Sequence, residues 1–278
     1  MTDPVTSELF VSPHDLAAGL RTRLSGWYEI EWVDSIDSTN AQILARFQSQ
    51  QDPSTWPRLL GSDHQTQGRG RAGRPWLDRP GQTLMFSCGF LTQMPARDLA
   101  GLAPALGMAA CDALRQLAGD CAPRLKMKWP NDLMIDDGKL AGILVESRIR
   151  GKQISIVAGI GLNLENGAQL QSRLNREVAD WTRLKSANNA SVDIVAAIAQ
   201  SWQDCMENYN LNKLHDLIER FQFFDYLAGK SVNTIQDNQI LLSGTACGMS
   251  PDASLRIRLA DGSLHSVTVG DISVRTCP

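Results

Sequence analysis

Lys126-Met127-Lys128-Trp129-Pro130-Asn131-Asp132 begins a run of short apolar segments broken by tight turns. Lys126 to Trp129 alternates as a half-buried strand does, and Pro130-Asn131-Asp132 turns the chain. Leu133-Met134-Ile135 and Leu140 to Val145 then flank Asp136-Asp137-Gly138-Lys139, a strong hairpin signal. A further strand is read from Ile154 to Leu164. Strands joined by turns this tight pair antiparallel, so the middle of the chain predicts a sheet.

Working outward, Ser12-Pro13-His14-Asp15 combines an N-cap, a proline at N1 and an acid at N3, and Leu16, Leu20 and Leu24 follow at helical spacing. Tyr28 to Val33 alternates as a strand. A second helix starts at Ser38-Thr39-Asn40 and carries Ile43, Leu44 and Phe47 on one face. Thr83 to Phe90 reads as a strand and the alanine- and leucine-rich run Leu99 to Leu117 as a buried helix. Two more helices are expected over Asp193 to Tyr209 and Leu211 to Phe221. Near Gly229 the character changes to short alternating strands, with an Asp261-Gly262 turn between Leu255–Leu259 and Leu264–Val269. The expected architecture is α+β: a mixed or antiparallel sheet with helices over residues 1–225, then a small β barrel or sandwich over 226–278.

Of 278 residues, 43% are hydrophobic and 21% charged, which is globular composition and excludes a disordered chain. A formal charge of −3 opposes a surface built wholly for nucleic acid or anionic lipid. Six cysteines are scattered without a C-x-x-C pair, which predicts reduced thiols and no zinc site of the finger or ribbon type. Met1-Thr2-Asp3-Pro4 lacks a secretory signal and no apolar run reaches membrane-spanning length, so a soluble cytoplasmic protein is expected.

Chemistry concentrates in four segments. Gly68-Arg69-Gly70-Arg71-Ala72-Gly73-Arg74 matches G-x-G-x-x-G, but Pro75 and Pro80 follow and no helix leaves Gly73, so the dinucleotide reading fails on context. What remains is a flexible loop with three arginines among glycines, suited to fold over a carboxylate or phosphate, or else a solvated turn. In Lys128 to Glu146, the Pro-Asn-Asp turn presents an amide and a carboxylate, and Lys139 can reach back across the sheet mouth; an ordinary hairpin accounts for the same residues. Ser38-Thr39-Asn40 caps a helix, whose N-terminus also suits carbonyl and carboxylate oxygens. Gly159 and Gly161 in an apolar strand indicate a pocket wall, or a bulge.

Taken in order, Ser38-Thr39-Asn40, Gln65 with Gly68-Arg69-Gly70-Arg71 and Trp76, Lys128 to Asp132, Lys139 to Glu146 and Gly159 to Asn163 closely resemble the biotin protein ligases. The resemblance implies a class II synthetase-like catalytic domain with an SH3-like C-terminal domain. It implies ATP-dependent activation of biotin to biotinyl-5'-AMP, then transfer to a lysine of the biotin carboxyl carrier domain of acetyl-CoA carboxylase, with Mg2+ accompanying the ATP. By the same resemblance Arg69, Arg71 and Lys139 are catalytic residues; Asp132 is expected as a further one from its position in the Pro-Asn-Asp turn, accepting or orienting the proton of the acceptor amine. Ser38, Thr39, Asn40, Gln65, Arg69, Gly70, Arg71, Asn131, Lys139 and Gly142 bind biotin or its adenylate, and no residue is assigned to a resident metal. Trp181 is carried over as a stacking partner for adenine, in surroundings that match the family less well.

Only 37 residues precede Ser38, so the resemblance points to the monofunctional type, with no DNA or membrane partner expected. Family members include monomers and homodimers. The nearest alternative is a lipoate ligase or octanoyl transferase of related fold; a non-catalytic biotin sensor and a nicotinamide dehydrogenase have less in their favour.

Overall fold

The computed structural model describes residues 11–49, 52–184, 189–209, 211–236, 239–268 and 273–277. Helix α1 (Pro13–Arg23) begins as the capping signal requires: the Ser12 side chain accepts from the Asp15 N–H. Strand β1 (Glu29–Ile36), helix α2 (Thr39–Ser49), strand β2 (Arg58–Gln65) and strand β3 (Thr83–Thr92) follow. Helix α3 (Leu102–Ala118) starts three residues later than its composition suggests, because Ala96–Gly101 winds as a 3-10 turn ahead of it. Strands β4 (Leu125–Lys128), β5 (Asp132–Ile135), β6 (Gly138–Arg150) and β7 (Gln153–Asn163) form the expected meander. β6 runs five residues past Val145, since its polar end pairs with β7 through Arg150 and Gln153. Helix α4 (Gly167–Leu174) has no counterpart in the sequence reading: it is two turns long, too short for a periodic signal. Helices α5 (Ser191–Asn208) and α6 (Leu211–Phe221) lead to strands β8 (Ser231–Gln236), β9 (Gln239–Met249), β10 (Leu255–Arg258), β11 (Leu264–Val267) and β12 (Ser273–Thr276).

The first seven strands make one sheet in the order β1-β2-β3-β7-β6-β5-β4. Only β1 and β2 pair in parallel, with α2 as their crossover; the remaining neighbours are antiparallel. The last five strands form a separate antiparallel sheet in the order β11-β10-β9-β8-β12, as expected of a small SH3-like unit. Its first strand starts at Ser231, and the approach to it is pinned to the first sheet by a bridge between Met127 and Asp225.

Alternation assigns the two faces of the large sheet. Leu59, Phe86, Cys88, Ile156, Ala158 and Ile160 enter a core shared with α1, α3 and α5, whereas Leu60 and Val157 join Ile43, Leu44 and Phe47 of α2 on the opposite face. On that second face β6 and β7 present Gly142, Leu144, Gly159 and Gly161, with Gly142 opposite Gly161 and Leu144 opposite Gly159. The sheet is therefore nearly bare of side chains beside the start of α2. The core also continues into the small sheet through Trp129, Ala253, Leu255 and Ile257.

Candidate active site

A cavity of about 410 Å³ lies over this bare patch of sheet. It is lined by Ser38, Thr39, Asn40, Gln65, Arg69, Gly70, Arg71, Asn131, Asp132, Lys139 and Gly142, so every residue assigned from sequence to catalysis or to binding biotin or its adenylate, Trp181 apart, reaches one space.

The N-terminus of α2 forms one end. Ser38 Oγ accepts from the Ala41 N–H at 3.4 Å, and the Thr39 N–H donates to Gln65 Oε1 at 2.8 Å. Under them sits Ser87, fully buried on β3; its hydroxyl donates to Asn40 Oδ1 at 2.6 Å and lies 2.6 Å from Thr39 Oγ1. Asn40 Nδ2 then donates to Glu146 Oε2 at 2.8 Å. Gly159 makes this possible, because a Cβ there would stand 2.1 Å from Asn40 Oδ1. Gly161 does the same for Trp76, whose indole would meet a Cβ at 2.3 Å. The glycines expected to admit a ligand ring thus first admit two protein side chains, because bare sheet is the closest approach open to them.

The arginine loop is folded rather than loose. Arg69 and Pro75 form an antiparallel bridge, the Gly70 N–H donates to Arg74 O at 2.7 Å, and the Trp76 N–H donates to Gly68 O at 2.9 Å. Its tip turns through Ala72 at φ 53° and Gly73 at φ 66°, the left-handed region that glycine tolerates and alanine resists. Each arginine has a partner: Arg69 reaches Glu146 Oε1 at 3.4 Å, Arg71 reaches Asn131 Oδ1 at 3.2 Å, and Arg74 reaches Ser273 Oγ at 3.1 Å on β12.

Opposite the loop, Lys139 Nζ donates to Asp132 Oδ1 at 2.6 Å and stands 5.5 Å from the centre of the Trp76 ring. Asn131 is held by donating to Ile143 O at 2.6 Å. Burial opposes ionisation of Asp132, but the charge of Lys139 and its hydrogen bond, with Lys128 and Arg176 farther off, outweigh it and hold the carboxyl below its usual range. Lys128 also lines the cavity; burial pulls its ammonium down to about 8, against the attraction of Asp132. Among the described lining residues seven are cationic and Asp132 is the single acid. Such a cavity attracts anions, in a chain whose overall balance is acidic.

Trp181 departs from expectation. Its side chain is fully buried, it does not line the cavity, and it presents no face for stacking. The reason is local: Ala179 N donates to Lys139 O at 3.0 Å, drawing the following turn into the core. Trp76 is the indole on the cavity wall. Arg74 reaches the cavity with the rest of the arginine loop, whereas Arg176 and Ser273 to Arg275 were not legible as site residues, because only the docking of α4 and of the small sheet brings them there.

The model of the biotin/lipoate A/B protein ligase family matches residues 32–163, which hold all of these motifs. A biotin--[acetyl-CoA-carboxylase] ligase of Mycobacterium tuberculosis is 33% identical over 65% of this chain and 67% of its own length. The bifunctional ligase/repressor BirA of Escherichia coli is 29% identical over 87% of this chain and 72% of its own. In three dimensions the chain resembles a biotin protein ligase from Aquifex aeolicus, solved with biotin and ATP, at a TM-score of 0.72 and 21% identity, covering 90% of this chain and 99% of that one; this last likeness concerns the fold. With the arginine loop, the Lys128–Asp132 turn and Lys139 gathered around one cavity, the chain belongs to the biotin protein ligases of the biotin/lipoate A/B protein ligase family.

Proposed function

We infer that the protein is an ATP-dependent ligase that converts biotin to biotinyl-5'-AMP and passes the biotinyl group to a lysine of a carboxyl carrier domain. The observation that carries this reading is the convergence of four sequence-distant segments on one cationic cavity, with the Lys139–Asp132 pair facing the arginine loop. We divide the chain into a catalytic unit over 1–225 and an appended β unit over 226–278, and place it in the cytoplasm. All six cysteines are free, which suits a reducing compartment, and among the described residues no helix is long and apolar enough to cross a membrane.

Adenylation joins two anions, so charge must be neutralised before a biotin carboxylate oxygen can attack the α-phosphorus and expel pyrophosphate. Arg69, Arg71 and Lys139 take that role. Ser38, Thr39, Asn40 and Gln65 receive the polar head of biotin, with Gly70, Asn131 and Gly142 completing the contacts with biotin or its adenylate. Asp132, ion-paired and held as carboxylate, orients Lys139; a depressed carboxylate is a weak base, so orientation is its stronger role. Magnesium belongs with the nucleotide: among the described residues no group of three or more His, Cys, Asp or Glu side chains could cage a metal, whereas one carboxylate on the cavity wall suits an ion carried on phosphates. The ion would supply further charge neutralisation at those phosphates.

Incubation with biotin, MgATP and a carrier domain should add one biotinyl group to the carrier by intact mass, and biotin should drive pyrophosphate exchange into ATP. Lys139→Ala should remain folded and lose the exchange; wild-type exchange in that variant would overturn the assignment. Lipoate in place of biotin should give neither product.

A further inference from the structure

Arg176 lies outside every motif of the sequence, yet the fold tethers it beside the reacting centre. Helix α4 ends at Leu174 and Asn175, at φ 47°, turns the chain. Immediately after Arg176 the backbone zips onto Lys139. Lys139 N donates to Glu177 O at 3.3 Å, Ala179 N donates to Lys139 O at 3.0 Å, and Lys139 and Val178 form a parallel bridge. Arg176 is therefore carried by a segment whose position is fixed relative to Lys139.

Its side chain lines the main cavity and also a smaller one of about 30 Å³ that adjoins it behind Trp76, Leu170 and Leu174. Arg176 is exposed, and among the described residues no hydrogen bond or ion pair engages its guanidinium. The loop arginines differ, being engaged by Glu146, Asn131 and Ser273. An arginine at a cavity rim whose charge reaches Asp132 only at a distance, and whose fork is bonded to no acid, is a ready receptor for an anion, and its planar fork suits phosphate oxygens.

The inference rests on the ligase reading, which offers two anions. The biotin carboxylate brings one charge and reacts at the α-phosphorus, beside Lys139. The triphosphate brings most of the negative charge, and its β- and γ-phosphates must leave towards solvent once the bond from the α-phosphorus to the bridging oxygen breaks. We propose that Arg176 binds the β- and γ-phosphates of ATP and the pyrophosphate they become, as a phosphate-binding residue additional to the arginine loop and Lys139.

Arg176→Ala and Arg176→Lys in the full chain test this. In the alanine variant the KM for ATP, and the KM for pyrophosphate in reversal of preformed biotinyl-5'-AMP, should each rise about tenfold or more, the loss of one charge-assisted hydrogen bond. The KM for biotin and the Kd of biotinyl-5'-AMP should stay within about twofold, and lysine, which keeps the charge but not the fork, should recover part of the loss. A pyrophosphate KM that does not move overturns the proposal, as does an equal weakening of biotin and adenylate, which would mean that Arg176 only orders the segment. Absence of biotin-dependent exchange in the wild-type protein would instead remove the ligase reading beneath it.

Discussion

Lys128 and Asp132 lie two residues either side of the Pro130 turn, and the cavity treats their charges oppositely. Burial brings the Lys128 ammonium down to about 8, so its charge is lost as pH rises through that value. The expected consequence is a KM for ATP that climbs between about pH 7 and pH 9, and that stays flat over the same range in Lys128→Met. Initial rates at fixed biotin across that range check it. Asp132→Asn removes the anion that steadies Lys139, and adenylation should fall about tenfold or more, the scale of one hydrogen bond to a charged group. Pyrophosphate exchange and single-turnover transfer, measured separately, decide between orienting and proton-accepting roles. Loss of transfer with intact exchange would assign Asp132 to the acceptor amine.

Ser87 shows how a strand can serve a helix. It occupies a position on β3 whose neighbours Phe86 and Cys88 face the main core, so strict alternation turns its hydroxyl towards α2. There it donates to Asn40 and meets Thr39, joining the cap of α2 to the floor of the cavity. Ser87→Ala leaves Asn40 Oδ1 without that donor in a buried place, at a cost of about 1–3 kcal/mol. Thermal unfolding should report that loss, and the KM for biotin should rise while the KM for ATP holds, since the network ends at the α2 end of the cavity. Helix α2 itself was legible in advance, because its cap and its Ile43-Leu44-Phe47 stripe are local features. Ser87 was not: one serine in an apolar strand gives no sign of what lies across from it.

The two sheets share one hydrophobic core. Trp129 Nε1 donates to Ala253 O at 2.9 Å across them, and Ser273, Val274 and Arg275 of the small sheet complete the cavity wall. At the junction Asp225, 4% exposed, accepts from the Leu227 N–H through one oxygen while the other has no hydrogen-bond partner. Burial pushes its carboxyl up to about 6, partly opposed by that backbone bond and by Lys126 and Lys230. A folded-state value above the ordinary aspartate value of 3.8 means that the folded protein holds the proton more tightly, so stability declines as pH rises from about 4 to about 6 and the penalty is complete above it. Asp225→Asn should therefore stabilise the protein at pH 7, by about 3 kcal/mol at most for a rise from 3.8 to about 6, with the gain gone below about pH 4. Denaturant midpoints at both pH values would show it; an equal gain at each would reject the account.

The meander around Lys128 to Leu164, the capped helices, the change to short strands near Gly229 and the residue types able to neutralise two anions are written in the amino-acid order. These follow from neighbours within a few positions, where periodicity, capping and turn chemistry act. It takes the packed fold to turn Trp76 rather than Trp181 towards the cavity, to clasp the arginine loop with Glu146, Asn131 and Ser273, and to stand Arg176 beside Lys139. Such facts depend on which distant backbones pair and which faces close, and the hydrophobic pattern that drives closure does not name the polar partners it brings together.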